Sequence, residues 1–425
     1  MNYAALEKCR ICGSPHLTPV IDLGAQMLAT VTVTEENKDR YPKEKVPLVV
    51  VRCDKEKNPK GCGLVQMKYT YPSTNIYREY WYRSGVNQTM RDVLKDVVES
   101  AMRRVDLRPE DTVLDIGCND GTLLSNYDPK LNRIGIDPVE NIRGENETFT
   151  RVIGFFNAAN FNRVAKGKKA KIMTSIAMFY DLEDPNAFVA DIATCLADDG
   201  IWIVQMADLP EMLQNNMYDQ IVHEHLEYYH IEPFRYLVEQ HGLKIVDIEK
   251  NLANGSSYRF SVRKEGSASP SPEAHKRMEQ WMKEEEALHL TGEAIYDRFR
   301  KDVLNTKEEL IRFVRSERAK GKTIFGYGAS TKGNVILQYC GFTSEDISCI
   351  ADRNQYKWNG ETVGTHIPII SEEEARRQKP DYFLVLPYYF AQEMMVREKE
   401  YLKHGGKFVI PLPHVSLLDA SALPA

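Results

Sequence analysis

"EDTVLDIGCNDGTLLSNY", residues 110–127, decides the fold. Its apolar run "TVLDI" reads as a short buried strand. Gly117 and Gly121 bracket a turn, and "TLLSNY" reads as the start of a helix. Glycine has no Cβ, so the backbone of such a turn can approach a ligand closely. The next strand, "NRIGIDP", carries Asp137 about twenty residues beyond the turn. There an acidic side chain can take both hydroxyls of a ribose. A NAD-type loop would read Gly-x-Gly-x-x-Gly, and "GCNDG" does not.

The alternation continues outward. "KIMTSIAMFYDLEDPNAFVADIATCL" reads as strand, loop and helix, and "GIWIVQMADL" as a further buried strand. This predicts a doubly wound parallel α/β sheet with its ligands at the carboxyl ends of the strands. A polar helical stretch follows over 266–315. Beyond it "KTIFGYGASTKGNVILQYC" gives a strand, a glycine turn and a helix with Lys332 in its first turn. Free amides at a helix start beside a lysine make an anion site. "ISCIADRNQYKWNG" then reads as a strand ending at Asp352 and Asn354, and "KPDYFLVLPYYF" and "GGKFVIPLP" add two more. Residues 316–425 therefore read as a second, smaller Rossmann-like unit with a phosphate-type loop. Two such units imply two ligands that meet between them.

Four cysteines precede these units: Cys9 and Cys12 in "CRIC", then Cys53 and Cys62 in "VRCDKEKNPKGCG". Two such pairs close a tetrahedral zinc site, and four thiolates leave no open position for chemistry. Gly13 and Gly63 each follow a candidate ligand, where a tight turn wants glycine. The expected zinc is structural and holds together a module over residues 1–75. The chain has 425 residues, 43% of them hydrophobic and 27% charged, with a net charge of -6. That balance argues against nucleic-acid binding. No apolar run is long enough for a membrane span, and "MNYAALEKCRICG" lacks a signal-peptide core. The expectation is a cytoplasmic monomer.

The stretch "NNMYDQIVHEHLEYYH", residues 215–230, follows one of the strand ends. Its histidines are two apart, which suits a loop or strand rather than a helical His-Glu-x-x-His zinc site. Acid–base work is the preferred reading.

Taken in order, the pieces resemble one family: zinc-containing, S-adenosylmethionine-dependent C-methyltransferases that act on nucleotide-linked 4-keto-deoxysugars. "VLDIGCNDG" is similar to the first motif of class I S-adenosylmethionine methyltransferases. The cysteine pairs, "YWYRSGVNQTMRD", "YDQIVHEHLEYYH", "GYGASTKGN", "ADRNQYKWNG" and "GTHIPI" complete the likeness, which covers nearly the whole chain. The resemblance implies a methyltransferase domain over 76–265 that holds the donor through Asp115, Gly117, Asn119, Gly121 and Asp137. Tyr82 and Ser84 either close over that donor or belong to a segment packing the zinc module. The C-terminal unit would hold the nucleotide sugar through Tyr327, Gly328, Ala329, Lys332, Asn334, Asp352, Asn354 and Lys357. Glu224 and His225 would be the catalytic pair, with Tyr229 near the reacting oxygen and His223 catalytic or merely packing.

The chain departs from the family at two places and, to a lesser degree, in the long spacing between Cys53 and Cys62. Val222 stands where several relatives have a tyrosine, and "SIAMFYDLEDP" lacks their histidine. Tyr180, Asp181, Tyr228 or Tyr229 would take over those roles. The implied chemistry is removal of a proton beside a ketone by His225, whose imidazole ordinarily titrates near neutral pH, followed by methylation of the enolate carbon. The alternatives are an O- or N-methyltransferase, which needs no such base, a binding protein with a spent site, and a zinc hydrolase.

Overall fold

The computed structural model describes residues 2–39, 41–77, 80, 82–142, 144 and 147–423. Trp81, part of the "YWYRSG" motif, lies outside them. The central sheet has seven strands. From one edge they are Leu243–Asn251, Ser257–Lys264, Leu196–Ala207, Ala170–Ile176, Thr112–Ile116, Asn132–Asp137 and Thr150–Ile153. Thr112–Ile116 is buried at every position, as a strand covered on both faces must be. Ser257–Lys264 runs against both of its neighbours. The connection that precedes it is too short for a crossover, so the chain can only double back. The sheet is therefore parallel with one reversed strand.

The helix expected after Gly121 does not form. Only a 3-10 turn, Leu124–Asn126, is present. Ser125 Oγ and Asn126 Nδ2 both donate to the Thr122 carbonyl, at 2.7 and 2.9 Å, and so compete with the helical ladder.

The second sheet has six strands, in the order Ile369–Ser371, Ile350–Asp352, Ile324–Tyr327, Tyr382–Val385, Lys407–Ile410 and Ser416–Leu418. The first five are parallel. Two helices, Pro272–Ala287 and Ala294–Ala319, join the two units, and the second runs past the boundary expected at 315.

The cysteine module carries an antiparallel sheet of Leu17–Gln26, Val46–Cys53 and Val65–Met67. Its fourth strand is Glu227–Tyr228, from far along the chain. A short arm of the module also pairs with the C-terminal unit, Thr32–Val33 against Glu361–Thr362. Gln338 clamps this arm at the Met27 backbone, accepting at 2.9 Å and donating at 3.1 Å. One hydrophobic cluster joins the cysteine module, the 209–228 stretch, the second connecting helix and the C-terminal unit, running from Leu48 and Val50 through Tyr218 and Ile221 to Ile336 and Leu384.

Candidate active site

The four cysteines are free thiols whose Sγ atoms all lie within 4.8 Å of one another. Cys9–Cys62 and Cys12–Cys53 are each 3.5 Å apart. A tetrahedron of zinc–sulfur bonds needs sulfurs about 3.8 Å apart, so the donor set fits zinc. Gly13 and Gly63 take positive φ, +68° and +82°, which lets each knuckle turn under its ligand.

A cavity of about 390 Å³ opens at the carboxyl ends of the central strands. Asp115, Gly117, Asn119, Asp137, Tyr82 and Ser84 all line it, opposite an apolar wall that includes Leu94, Phe155 and Met178. Gly117 has φ +73°, and a Cβ there would stand 3.1 Å from Met178 Cγ, filling the cradle. The Asp137 carboxylate accepts from the Asn119 and Val139 amides at 2.7 and 2.8 Å and so fixes the loop. Asn119 in turn straps the 82–84 segment down. Its Oδ1 accepts from the Ser84 amide and its Nδ2 donates to the Tyr82 carbonyl, both at 3.0 Å. Burial pushes the Asp115 carboxyl up to about 7, against the Thr174 hydroxyl that donates to it at 2.6 Å. An apolar slot with a polar, acidic rim fits S-adenosylmethionine. Gly121 does not line this cavity. Its φ is +81° and a Cβ would stand 2.3 Å from Phe149 Cε1, so this glycine makes room for a ring.

A second cavity, about 600 Å³, lies over the C-terminal glycine loop. Tyr327, Gly328, Ala329, Asn334, Asp352, Asn354 and Lys357 line it, and so do Ala29, Thr30 and Thr32 from the module's arm. Asp352 accepts from the Ala329 and Asn354 amides, each at 2.7 Å. Asn334 donates to the Ala29 carbonyl at 2.8 Å while its Oδ1 is buried without a hydrogen-bond partner among the described residues. Tyr327 offers only its near side, because its hydroxyl is tied to Glu398 at 2.6 Å behind the sheet. Tyr80 and Tyr82 wall both cavities.

Lys332 is not part of that second wall. Its Nζ turns the other way, 4.6 Å above the Tyr389 ring and 3.4 Å from the Asn254 carbonyl oxygen. It faces the histidine stretch, where Asp219 and Glu224 hold its charge against burial, which draws the ammonium down to about 8.

His223, Glu224 and His225 form a buried turn. The His225 Nδ1 lies 2.9 Å from the Gln220 carbonyl. A carbonyl only accepts, so Nδ1 carries the proton and Nε2 keeps the lone pair. Burial, then the Lys332 charge, hold this imidazole down at about 3. The near-neutral titration expected of it is thus lost to desolvation. The Glu224 carboxyl is pushed the other way, up to about 8, by burial, with Lys332 pulling against it. The Tyr180 ring meets His225 edge-on at 4.5 Å, and Tyr180 and Tyr228 line a small cavity beside it. His223 instead meets the Val46 carbonyl at 3.0 Å and anchors the turn to the cysteine module.

Tyr229 does not join His225. Side chains alternate across a strand, so Tyr228 faces the site and Tyr229 faces the core, packed on Phe179 and Phe234. Four further site groups went unpredicted: Asp219, Tyr388, Tyr389 and Tyr77. Tyr77 donates to Asp181 at 2.9 Å at the edge of the donor-type cavity. Asp219 lay inside the quoted histidine stretch and the tyrosine pair directly follows a strand end, a position that could have marked it.

Three family models match in succession: a zinc binding domain over residues 9–77, a methyltransferase domain over 82–248 and a C-methyltransferase C-terminal domain over 253–413. The C-methyltransferase NovU of Streptomyces niveus is 28% identical over 422 residues, 98% of each chain. Among solved structures, magnesium protoporphyrin IX methyltransferase of Synechocystis PCC 6803 with bound SAH is similar at 18% identity and TM-score 0.33. It covers 42% of this chain and 89% of its own. A methyltransferase from Clostridium acetobutylicum gives 14% and 0.31, over 41% and 92%.

Proposed function

We propose that this chain, an S-adenosylmethionine-dependent C-methyltransferase with a zinc-binding module, methylates carbon beside the ketone of a nucleotide-linked 4-keto-6-deoxysugar. The observation that carries the reading is His225 Nε2: a lone-pair nitrogen in a buried turn, edge-on to Tyr180 and beside a small cavity that Tyr180 and Tyr228 line. Carbon is a poor nucleophile until a proton leaves it, and a ketone next door makes that proton removable. In this reading His225 takes the proton through Nε2. Glu224 beside it, once ionised, carries the negative charge that supports the imidazolium. The C-terminal cavity holds the nucleotide diphosphate through the side chains of Asn334, Asn354 and Lys357, while the Gly328 and Ala329 amides shape the loop by donating to the Ala351 carbonyl and the Asp352 carboxylate. Tyr180 and Tyr228, which line the small cavity beside His225, donate to the enolate oxygen in this reading. S-adenosylmethionine, when bound, supplies an electrophilic methyl group. Asp115, Asn119 and Asp137 would hold it, and the apolar wall would exclude water.

The test uses the full chain with S-adenosylmethionine and dTDP-, GDP- and CDP-linked 4-keto-6-deoxyhexoses in heavy water, for wild type and His225→Ala. The expected result is a gain of one methyl on carbon, with solvent exchange at that carbon that the variant loses. Methylation that survives in His225→Ala would move the base elsewhere. A methyl gained as an ether or amine would overturn the carbon acceptor.

A further inference from the structure

Lys332 stands in the first turn of helix Thr331–Cys340, yet its ammonium lies on the histidine side of the molecule. Tyr389, whose ring lies 4.6 Å beneath that ammonium, donates its hydroxyl proton to Asp219, with Oδ2 at 2.7 Å and Oδ1 at 2.9 Å. Tyr388 reaches Asp219 Oδ1 at 3.2 Å. One of the two carboxyls facing Lys332 is therefore pinned by two tyrosines. The other, Glu224, has Oε2 buried without a hydrogen-bond partner among the described residues. Among the described residues, Tyr77, Tyr80, Tyr180 and Asp181 also interact with Glu224, and none of these brings positive charge. A carboxyl enclosed this way favours its neutral acid, and a cation built in beside it lowers the pH at which it ionises.

We propose that Lys332 is a positioning residue of the reaction: seated on Tyr389 and shared with the pinned Asp219, its ammonium lowers the pH at which Glu224 ionises beside His225. This rests on reading the Glu224–His225 turn as the base. It assigns the lysine of the glycine loop to the acid–base turn rather than to a phosphate. It also means that the C-terminal unit supplies part of the catalytic electrostatics. His225 feels the same cation, which favours its neutral, proton-accepting form.

The charge state of Glu224 can be followed without any acceptor. Infrared difference spectra of the full chain against Glu224→Gln isolate the protonated-carboxyl stretch of Glu224, and a pH titration gives its midpoint. In wild type the midpoint is expected near 8. In Lys332→Met it should move up by about one unit or more, and Lys332→Arg should restore it. In turnover, Lys332→Met should lose about tenfold in kcat at pH 7.5 for each unit of that shift. The loss should be recovered at higher pH, with KM for S-adenosylmethionine unchanged. A midpoint that stays put in Lys332→Met, with donor binding intact to show the chain is folded, overturns the proposal. So does a kcat lowered equally at every pH. If wild type turns over none of the keto sugars, the infrared titration still reads the role of Lys332, so the two ideas fail separately.

Discussion

His225 is fixed in one tautomer by a single carbonyl, and that has a cost at low pH. Its folded pKa, about 3, lies below the ordinary 6.5. The neutral ring therefore contributes stability that is fully present above about pH 6.5 and is lost as pH falls toward the folded value. Glu224 has the opposite sign. Raised from 4.5 to about 8, it contributes stability at low pH that is lost as pH rises through about 8. His225→Asn keeps a donor for the Gln220 carbonyl but cannot titrate. Between pH 6.5 and 5 it should lose about 2 kcal/mol less stability than wild type, measured by denaturant unfolding at each pH. Gly121→Ala is a second local test. The left-handed backbone and the Phe149 ring both oppose a Cβ, so unfolding free energy should fall by about 2 kcal/mol or more. The cysteines and the lining glycines were legible in the sequence because spacing and chain-neighbour position encode them. Lys332 and Tyr229 were misplaced. Their direction depends on partners at Tyr389 and Phe179 that no local pattern announces.

The strands and the glycine loops were legible too, since apolar runs ending in glycine turns have few other ways to fold. The turn over Leu124–Asn126 was not, because side chains that cap a carbonyl look in sequence like an ordinary helix start. Nor did the sequence betray that Glu227–Tyr228 closes the sheet of the cysteine module. Register between segments so far apart is set by packing, not by composition. This pairing makes a structural zinc matter to activity. Val65 and Gln66 pair with Tyr228 and Glu227, the Met67 amide donates to the Leu226 carbonyl, and His223 reaches Val46. Stripping the metal with a chelator should abolish methyl transfer and raise amide hydrogen exchange across 221–229 by about tenfold or more. Protection at Thr112–Ile116 should change little. Re-added zinc should restore both. Exchange that stays low in 221–229 while activity disappears would instead point to a metal acting on the chemistry itself.

The whole molecule brings two cavities to one aromatic wall. Because Tyr80 and Tyr82 face both, a ligand in one should order the wall of the other, and donor and acceptor should tighten each other's binding. Tyr82 is 47% exposed and its ring can be removed without opening a core. Tyr82→Ala should weaken donor binding about fivefold, by titration calorimetry, and bring the ratio of donor Kd without and with acceptor close to one.

The borrowed strand also bears on how such a chain can be inherited or rebuilt. A crossover that exchanges residues 1–77 with a distant sequence replaces the partners of Glu227–Tyr228, and the resident 221–229 segment must then match a foreign edge. Chimeras that move 1–77 together with 215–230 keep the pairing intact, and these are the recombinants expected to survive. Two passages of sequence far apart in the gene thus form one heritable unit.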